Sequence, residues 1–168
     1  MNALWALTAI VVAVALQTTL DRWVAVGAVD LVLVVVVYFS LTSGRVTGLL
    51  TGSFAGLVQD ALSGAVIGMA GLSKTVVGFL TGIIGTQFIV NHSASRFVVF
   101  FLATVVNQLV FRGMYELLGL RHFGPAYAVV AAQALGNAIV GVLVFKVLEL
   151  LPGAVERRRH ARSVGIRR

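Results

Sequence analysis

The sequence predicts an all-α membrane protein, built as a polytopic bundle of six transmembrane helices. Hydrophobic residues make up 59% of the 168 residues and charged residues only 11%, whereas a soluble domain carries about 25% charged residues. A soluble domain of this size exposes too much of its surface to hide so many apolar side chains. The apolar residues also fall into runs close to the roughly 20 residues that a helix needs to cross a bilayer.

The first two helices are predicted at 3–20 and 31–42. Ala3–Leu20 carries no charge and lacks the basic start and cleavage site of a signal peptide, so we expect a retained helix that ends at Asp21 to Trp23. Leu31–Thr42 includes four consecutive valines, which would suggest a strand in a soluble protein. In a membrane, strands occur only in closed barrels, and the strands of such barrels alternate between apolar and polar residues. This segment shows no such alternation. We therefore predict a helix that begins near Asp30, whose carboxylate can cap it.

Glycines spaced four residues apart mark the third and fourth helices. The third helix follows Arg45 and precedes a glycine-rich stretch, Leu62 to Gly71, that we expect to be a loop; the fourth is predicted at Leu72–Val90. The glycine ladder of the third helix consists of Gly44, Gly48, Gly52 and Gly56, and is continued by Asp60, Gly64 and Gly68. Spacing of four keeps residues on one helix face, where glycines let backbones approach closely in lipid. The residues predicted to pack helices, within the bundle or against a partner, are Gly48, Gly52, Gly56, Gly78 and Gly82.

Polar side chains four residues apart mark the fifth and sixth helices, which are predicted at Phe97–Leu118 and Tyr127–Leu148. The fifth helix carries Thr104, Gln108, Arg112 and Glu116, and the sixth carries Gln133 and Asn137. We expect these two amides to bond to Gln108 or Asn107 and so to join the helices. Pro125 stands just before the sixth helix, where proline suits a helix start.

The distribution of basic residues predicts the orientation. Six of the thirteen Lys and Arg residues lie in the last twelve positions, and basic residues favour the cytoplasmic side. With six helices, both termini share that side with Arg45 and Arg96. We therefore predict a transmembrane domain at 1–151 and a basic cytoplasmic tail at 152–168. The tail accounts for much of the net charge of +7 and is expected to contact anionic lipid rather than nucleic acid.

Charged residues outside the tail are candidates for polar contacts at an interface. They are Asp30, Asp60, Lys74, Arg112 and Glu116. Lys74 lies in the same outer region as Asp30 and Asp60 and could pair with either. Asp60 anchors a helix end or loop, or contacts a partner. Arg112 and Glu116 are expected to form a pair that offsets part of the roughly 2.5–3.5 kcal/mol cost of a charge in mid-membrane; an ion or proton relay is the alternative.

The sequence contains no recognisable catalytic machinery. It has no cysteine, which excludes thiolate chemistry and disulfides. Its three histidines are scattered and form no metal-binding pair at helical spacing. The predicted tail is too short to hold a soluble catalytic site. We therefore expect no enzymatic activity, no metal and no cofactor.

The segment from Val29 to Gly82 resembles the MreD family, the rod-shape-determining membrane protein D. That family typically shows Pro-Asp before a long apolar run with a tyrosine near its end; here Val29 replaces the proline, while Asp30 and Tyr38 match. A ladder of small residues then leads to an aspartate and a Ser-Gly pair, and a Gly-aromatic step follows. The matching residues are Gly48, Gly52, Gly56, Asp60, Ser63, Gly64, Gly68, Gly78, Phe79 and Gly82.

The resemblance implies an inner-membrane, non-catalytic scaffold of the bacterial elongation machinery, the elongasome, which builds lateral-wall peptidoglycan and maintains rod shape. It also implies partners: an MreC-like bitopic membrane protein and, through it, the MreB filament, RodA and a class B penicillin-binding protein.

A second function follows from a further likeness of that family, to the six-helix substrate-binding subunits of energy-coupling-factor vitamin transporters. Such a subunit would hold a vitamin in an outer pocket lined by the first loop and the loop after the third helix. Ala9 and Ala13 match the alanine spacing by which those subunits dock. A scaffold predicts no polar ligand cavity, and the few aromatic and polar residues in those loops favour the scaffold.

Overall fold

The described part of the chain forms an all-helical bundle of six helices, as the sequence predicts. The computed structural model describes residues 3–20, 29–87, 92–120, 122–124 and 127–164. Within these ranges all regular structure is helical, and the helices are α1 (Ala3–Leu20), α2 (Leu31–Ser43), α3 (Arg45–Ser63), α4 (Met69–Gln87), α5 (Ser93–Leu117) and α6 (Tyr127–Val164). The predicted end of α1 at Asp21 to Trp23 and the helix start at Pro125 lie outside the described residues.

The loop after α3 is shorter than predicted. We expected a loop from Leu62 to Gly71, but α3 continues to Ser63 and α4 begins at Met69, which leaves only 64–68. Gly64 ends α3 in the left-handed conformation, with a φ of 67°, which glycine adopts without steric cost. The high glycine content concealed the helical start of α4, which is held by a side chain of α3 described below.

The sixth helix is longer than predicted. The sequence suggested an end at Leu148, and the strongly apolar part does end at Leu150, but the helix continues through Pro152 to Val164. Proline removes one helical hydrogen bond and costs about 3 kcal/mol in a helix interior. The residues that follow Gly153 include alanine, glutamate and several arginines, which are good helix formers, so the helix resumes beyond the proline.

Among the described residues, three helices are long and apolar enough to cross a membrane by length and composition: α4, α5 and the part of α6 at Tyr127–Leu150. Two further apolar helical segments, Leu7–Thr19 and Leu31–Ser43, are shorter. These apolar helices indicate a membrane protein. That all six helices cross the bilayer stays a prediction.

Helix α2 lies at the centre of the bundle and contacts each of the other five helices. Its valine run is buried on all sides, with Val32, Val34, Val36 and Val37 almost completely inaccessible. A helix that is apolar all round belongs in the interior, which explains why a sequence that suggests a strand forms a buried helix here. Phe100 of α5 packs into the same core.

The glycine ladder packs α3 against α4, in the most extensive helix contact of the bundle. A methyl group added at Gly48, Gly52 or Gly56 would overlap the backbone of Gly78, Lys74 or Ala70, respectively. One added at Gly82 would overlap the backbone of Arg45. The two backbones therefore touch, as small residues allow in lipid.

The ladder does not continue as one face. Gly64 and Gly68 lie in the loop after α3 with positive φ, and a methyl group at either position would meet open space. They follow the ladder at the same spacing of four residues in the sequence. This spacing places residues on one face only within a helix, and both glycines lie outside α3.

Candidate functional site

A buried ion pair joins α4 to the start of α2. The Lys74 ammonium donates to Asp30 Oδ2 at 2.7 Å, and the two side chains are 3% and 10% exposed. The other carboxylate oxygen of Asp30 accepts the Leu33 backbone N–H at 2.9 Å, so Asp30 caps α2 as the sequence predicts. Of the two partners considered for Lys74, the structure therefore selects Asp30. An unpaired charge at this depth would be costly, and the pair offsets that cost.

Amide side chains of α1 and α6 hold the segment before α2. The Asp30 backbone N–H donates to Asn137 Oδ1 at 2.7 Å, and Asn137 Nδ2 donates to Thr104 Oγ1 of α5 at 3.1 Å. Gln17 of α1 bridges the same segment, donating to the Val29 carbonyl and accepting the Leu31 N–H. The ion pair is thus fixed by contacts with four helices. Asn137 does join α6 to α5, but through Thr104 rather than the predicted Gln108 or Asn107.

Asp60 anchors the loop after α3 and the first turn of α4. Its side chain is 1% exposed, and its carboxylate accepts the backbone N–H groups of Gly68, Ala70 and Gly71 at 2.9–3.2 Å. These are helix N-terminal donors that lack partners within the helix, and a carboxylate there also interacts favourably with the helix dipole. Of the two roles predicted for Asp60, the structure shows the anchoring one.

A polar cleft of about 250 Å³ opens beside these groups, where α1 and α3 end and α2 and α4 begin. Its lining includes the charged side chains of Asp30, Asp60 and Lys74, the ring of Phe111, and the amides Gln17, Gln59, Asn107, Gln108 and Gln133. Asp30 caps α2, and the other lining residues named here belong to the remaining five helices, so all six helices contribute to the cleft. A scaffold predicts no polar ligand cavity, and that prediction stays untested, but a polar cleft does form here because polar residues spread along the chain converge at one end of the bundle.

Two buried oxygen atoms at this end of the bundle have no hydrogen-bond partner in the described part of the chain: Gln59 Oε1 and Asn107 Oδ1. Asn107 is only 4% exposed. Sequence reasoning named Asn107 as a partner for the amides of α6 and did not consider Gln59. Gln59 lies four residues after Ala55, and because the burial of Ala55 is visible only in the structure, the sequence alone contained no signal for Gln59.

Arg112 and Glu116 do not form the predicted pair. No ion pair joins them in the structure, and Glu116 is exposed. Arg112 Nε instead donates to Gln108 Oε1 at 3.2 Å, and the guanidinium lies 5.3 Å from the centre of the Phe123 ring. Gln108 in turn bonds to Gln133, as the sequence predicts. The Arg112 guanidinium thus contacts the Phe123 ring and the Gln108 amide instead of the Glu116 carboxylate.

A second groove, mainly apolar and about 490 Å³ in volume, lies between α5 and α6. Leu109, Gly113, Phe123, Tyr127 and Ala131 contribute to its lining, and Arg112 and Glu116 lie at the same place. Gly113 stands inside α5, yet a methyl group there would meet nothing within 4 Å. Unlike the glycines of the ladder, it serves no contact within the described bundle.

A second ion pair lies at the other end of α5, and sequence reasoning missed it. Arg96, 7% exposed, bonds to Glu149 of α6 at 2.5 Å and lies over the Phe145 ring at 4.4 Å. We had used Arg96 only to orient the bundle. The antiparallel order of α5 and α6 was the available signal, because it places the start of one helix beside the end of the other.

No cluster of three or more His, Cys, Asp or Glu side chains that could hold a metal occurs among the residues that were described. In the comparison with known proteins, the family model for rod shape-determining protein MreD matches residues 1–152. No curated protein and no solved structure matches the chain.

Proposed function

The chain belongs to the MreD family of rod shape-determining proteins, and on that basis we propose that it is a non-catalytic inner-membrane scaffold of the bacterial elongation machinery. The family match covers most of the sequence and gives the protein a role in determining rod shape. In this proposal the protein binds an MreC-like bitopic partner and through it reaches the MreB filament, RodA and a class B penicillin-binding protein.

We place the polar cleft on the outer side of the membrane and both termini in the cytoplasm. Arg45 begins α3 and Arg96 lies in the first turn of α5, both at the end of the bundle opposite the cleft. Four of the six arginines of the predicted tail lie in the last part of α6, beyond Leu150, where that helix leaves the bundle at the same end. This distribution agrees with the excess of basic residues that cytoplasmic segments carry.

The groove between α5 and α6 is the surface that we assign to the single membrane helix of the partner. The ladder glycines cannot serve, because Gly48, Gly52 and Gly56 are buried between α3 and α4. Gly113 is the observation that supports the groove. Glycine inside a helix costs roughly 1 kcal/mol relative to alanine, and in lipid it is useful where another backbone comes close. No backbone of the described bundle does so here.

The alternative function, a vitamin-binding subunit of an energy-coupling-factor-type transporter, is supported by the position of the polar cleft. Asp30 precedes α2, and Ser63 and Ala65 flank the end of α3, so the cleft lies where that function requires a pocket. The volume of the cleft argues against the vitamin-binding function. About 250 Å³ lies below the roughly 300–1,000 Å³ of pockets that enclose drug-sized ligands.

Co-purification distinguishes the two functions. The protein would be extracted in mild detergent from a cell that produces the MreC-like protein, and both the protein partners and the bound small molecules would be identified by mass spectrometry. We expect the MreC-like protein in stoichiometric amounts, and rounding of rod-shaped cells when the protein is depleted. A bound vitamin in the absence of an MreC-like partner would contradict the scaffold and support the transporter subunit.

A further inference from the structure

The two unpartnered oxygens of the polar cleft need an explanation. Buried polar atoms in native proteins are almost always hydrogen-bonded, and leaving one without a partner is costly. Gln59 Oε1 and Asn107 Oδ1 are both buried without a partner in the described chain, and both side chains line the same cleft. Because both side chains line one cleft of about 250 Å³, a single occupant of that cleft lies next to both.

The rest of the cleft is already fixed. Asp30 and Lys74 bind each other, Gln108 bonds to Gln133, and Asp60 is held by three backbone N–H groups. A site whose walls are locked by their own hydrogen bonds loses little freedom when a ligand enters. The two unpartnered acceptors are therefore the distinctive feature of a cleft that is formed in advance.

The charges of the cleft indicate which kind of ligand fits. Lys74 is neutralised by Asp30 at 2.7 Å, so no free cation is available to attract an anion. The Asp60 carboxylate is occupied by the first turn of α4, so no free carboxylate is available to hold an ammonium group. What remains are the two neutral amides of Gln59 and Asn107, whose oxygens have no partner, and these match a neutral ligand with O–H or N–H donors.

The volume limits the size of the ligand. At about 30 Å³ for each water of the liquid, 250 Å³ equals the space of roughly eight waters. The ring of Phe111 forms an apolar part of the wall, which suits a ligand with one C–H face. We propose that this cleft binds a small neutral solute through hydroxyl or amide donors that bond to Gln59 and Asn107. This goes beyond the scaffold function and does not depend on it.

Two measurements on the full-length protein in mild detergent test the site. First, solutes released by denaturing protein purified from native membranes would be identified by mass spectrometry. Second, isothermal titration calorimetry would compare three hexose-sized probes that differ in charge: D-glucose, gluconate and, at mildly acidic pH, D-glucosamine. We expect a neutral polar solute to be retained, and D-glucose to bind more tightly than either charged probe.

Substitutions tie the binding to the two amides. Asn107→Leu and Gln59→Leu each remove an open acceptor and should weaken binding of the retained solute, or of D-glucose, at least tenfold. Gln87→Leu changes an exposed glutamine at the far end of α4 and should leave binding unchanged. The melting temperature of each variant verifies that it is folded.

Three results would overturn the proposal. One is a protein that retains no solute and binds none of the probes. Another is gluconate or D-glucosamine as the tightest ligand, since either would contradict the charge argument. The last is an affinity equal to that of the wild type in both Asn107→Leu and Gln59→Leu, when both are folded. The ligand would then bind at another site.

Discussion

Two buried asparagines should respond in opposite ways to the same substitution. Asn137 is 1% exposed, accepts the Asp30 N–H and donates to Thr104. Asn107 is 4% exposed, and its oxygen has no partner in the described chain. Replacement by leucine removes the amide and keeps a side chain of comparable size, so the two variants differ mainly in the hydrogen bonds they lose.

The magnitude follows from those bonds. Asn137→Leu removes two interhelical hydrogen bonds and leaves the Asp30 N–H buried without a partner. Thr104 keeps its bond to the Phe100 carbonyl, so only one group is left unsatisfied. With about 1–3 kcal/mol for that group and about 0.6–2 kcal/mol for the second bond, we expect a loss of roughly 2–5 kcal/mol. Asn107→Leu loses no bond and should be neutral or stabilising.

Thermal unfolding of the two purified variants in one detergent measures the difference. At about 2–4 °C per kcal/mol for a chain of this length, Asn137→Leu should melt at least about 4 °C below the wild type. Asn107→Leu should melt at or above the wild-type temperature. Equal destabilisation by both substitutions, or a neutral Asn137→Leu, would show that the assigned hydrogen bonds do not determine stability.

Three further predictions concern packing, charge and orientation. Gly52→Leu and Gly56→Leu should abolish the folded protein on size-exclusion chromatography, because each side chain would overlap the backbone of α4; wild-type elution of both would contradict the packing. Lys74→Met should destabilise the protein by about 3–5 kcal/mol in thermal unfolding, because it leaves the buried Asp30 carboxylate unpaired, and adding Asp30→Asn should restore part of the loss. Single cysteines at positions 2, 94 and 165 should resist an impermeant reagent added outside intact cells, and labelling at position 2 or 165 would refute the orientation.

Local sequence features predicted much of the fold. The six apolar runs correspond to the six helices, and α1 has the bounds that its charge-free run suggests. The cap at Asp30 was predictable because a carboxylate reaches the N–H groups of the next few residues. Each of these features depends on residues that are neighbours in the chain.

The polar cleft could not be predicted in the same way. Asn107 and Asn137 are both buried asparagines on neighbouring helices, and only the packing in space decides that Asn137 finds two partners. Asp60 bonds to N–H groups eight to eleven residues ahead, across a loop whose path the glycines do not define. Arg112 shows the opposite error, because the spacing suggested a pair with Glu116, whereas the side chain contacts Gln108 and Phe123 instead.

The central claim is that the groove between α5 and α6 binds the helix of an MreC-like partner, and Gly113→Leu tests it most directly. Nothing lies within 4 Å of a methyl group added at Gly113, so the variant should fold normally. The control is Ala132→Leu, which adds the same side chain at an exposed position of α6 outside the groove lining.

The measurement is the amount of MreC-like protein that co-purifies with each folded variant in mild detergent. We predict that Gly113→Leu retains less than about a tenth of the wild-type amount, which corresponds to a loss of about 1.4 kcal/mol or more in binding, and that Ala132→Leu retains all of it. Wild-type co-purification with Gly113→Leu would contradict the assignment of the groove.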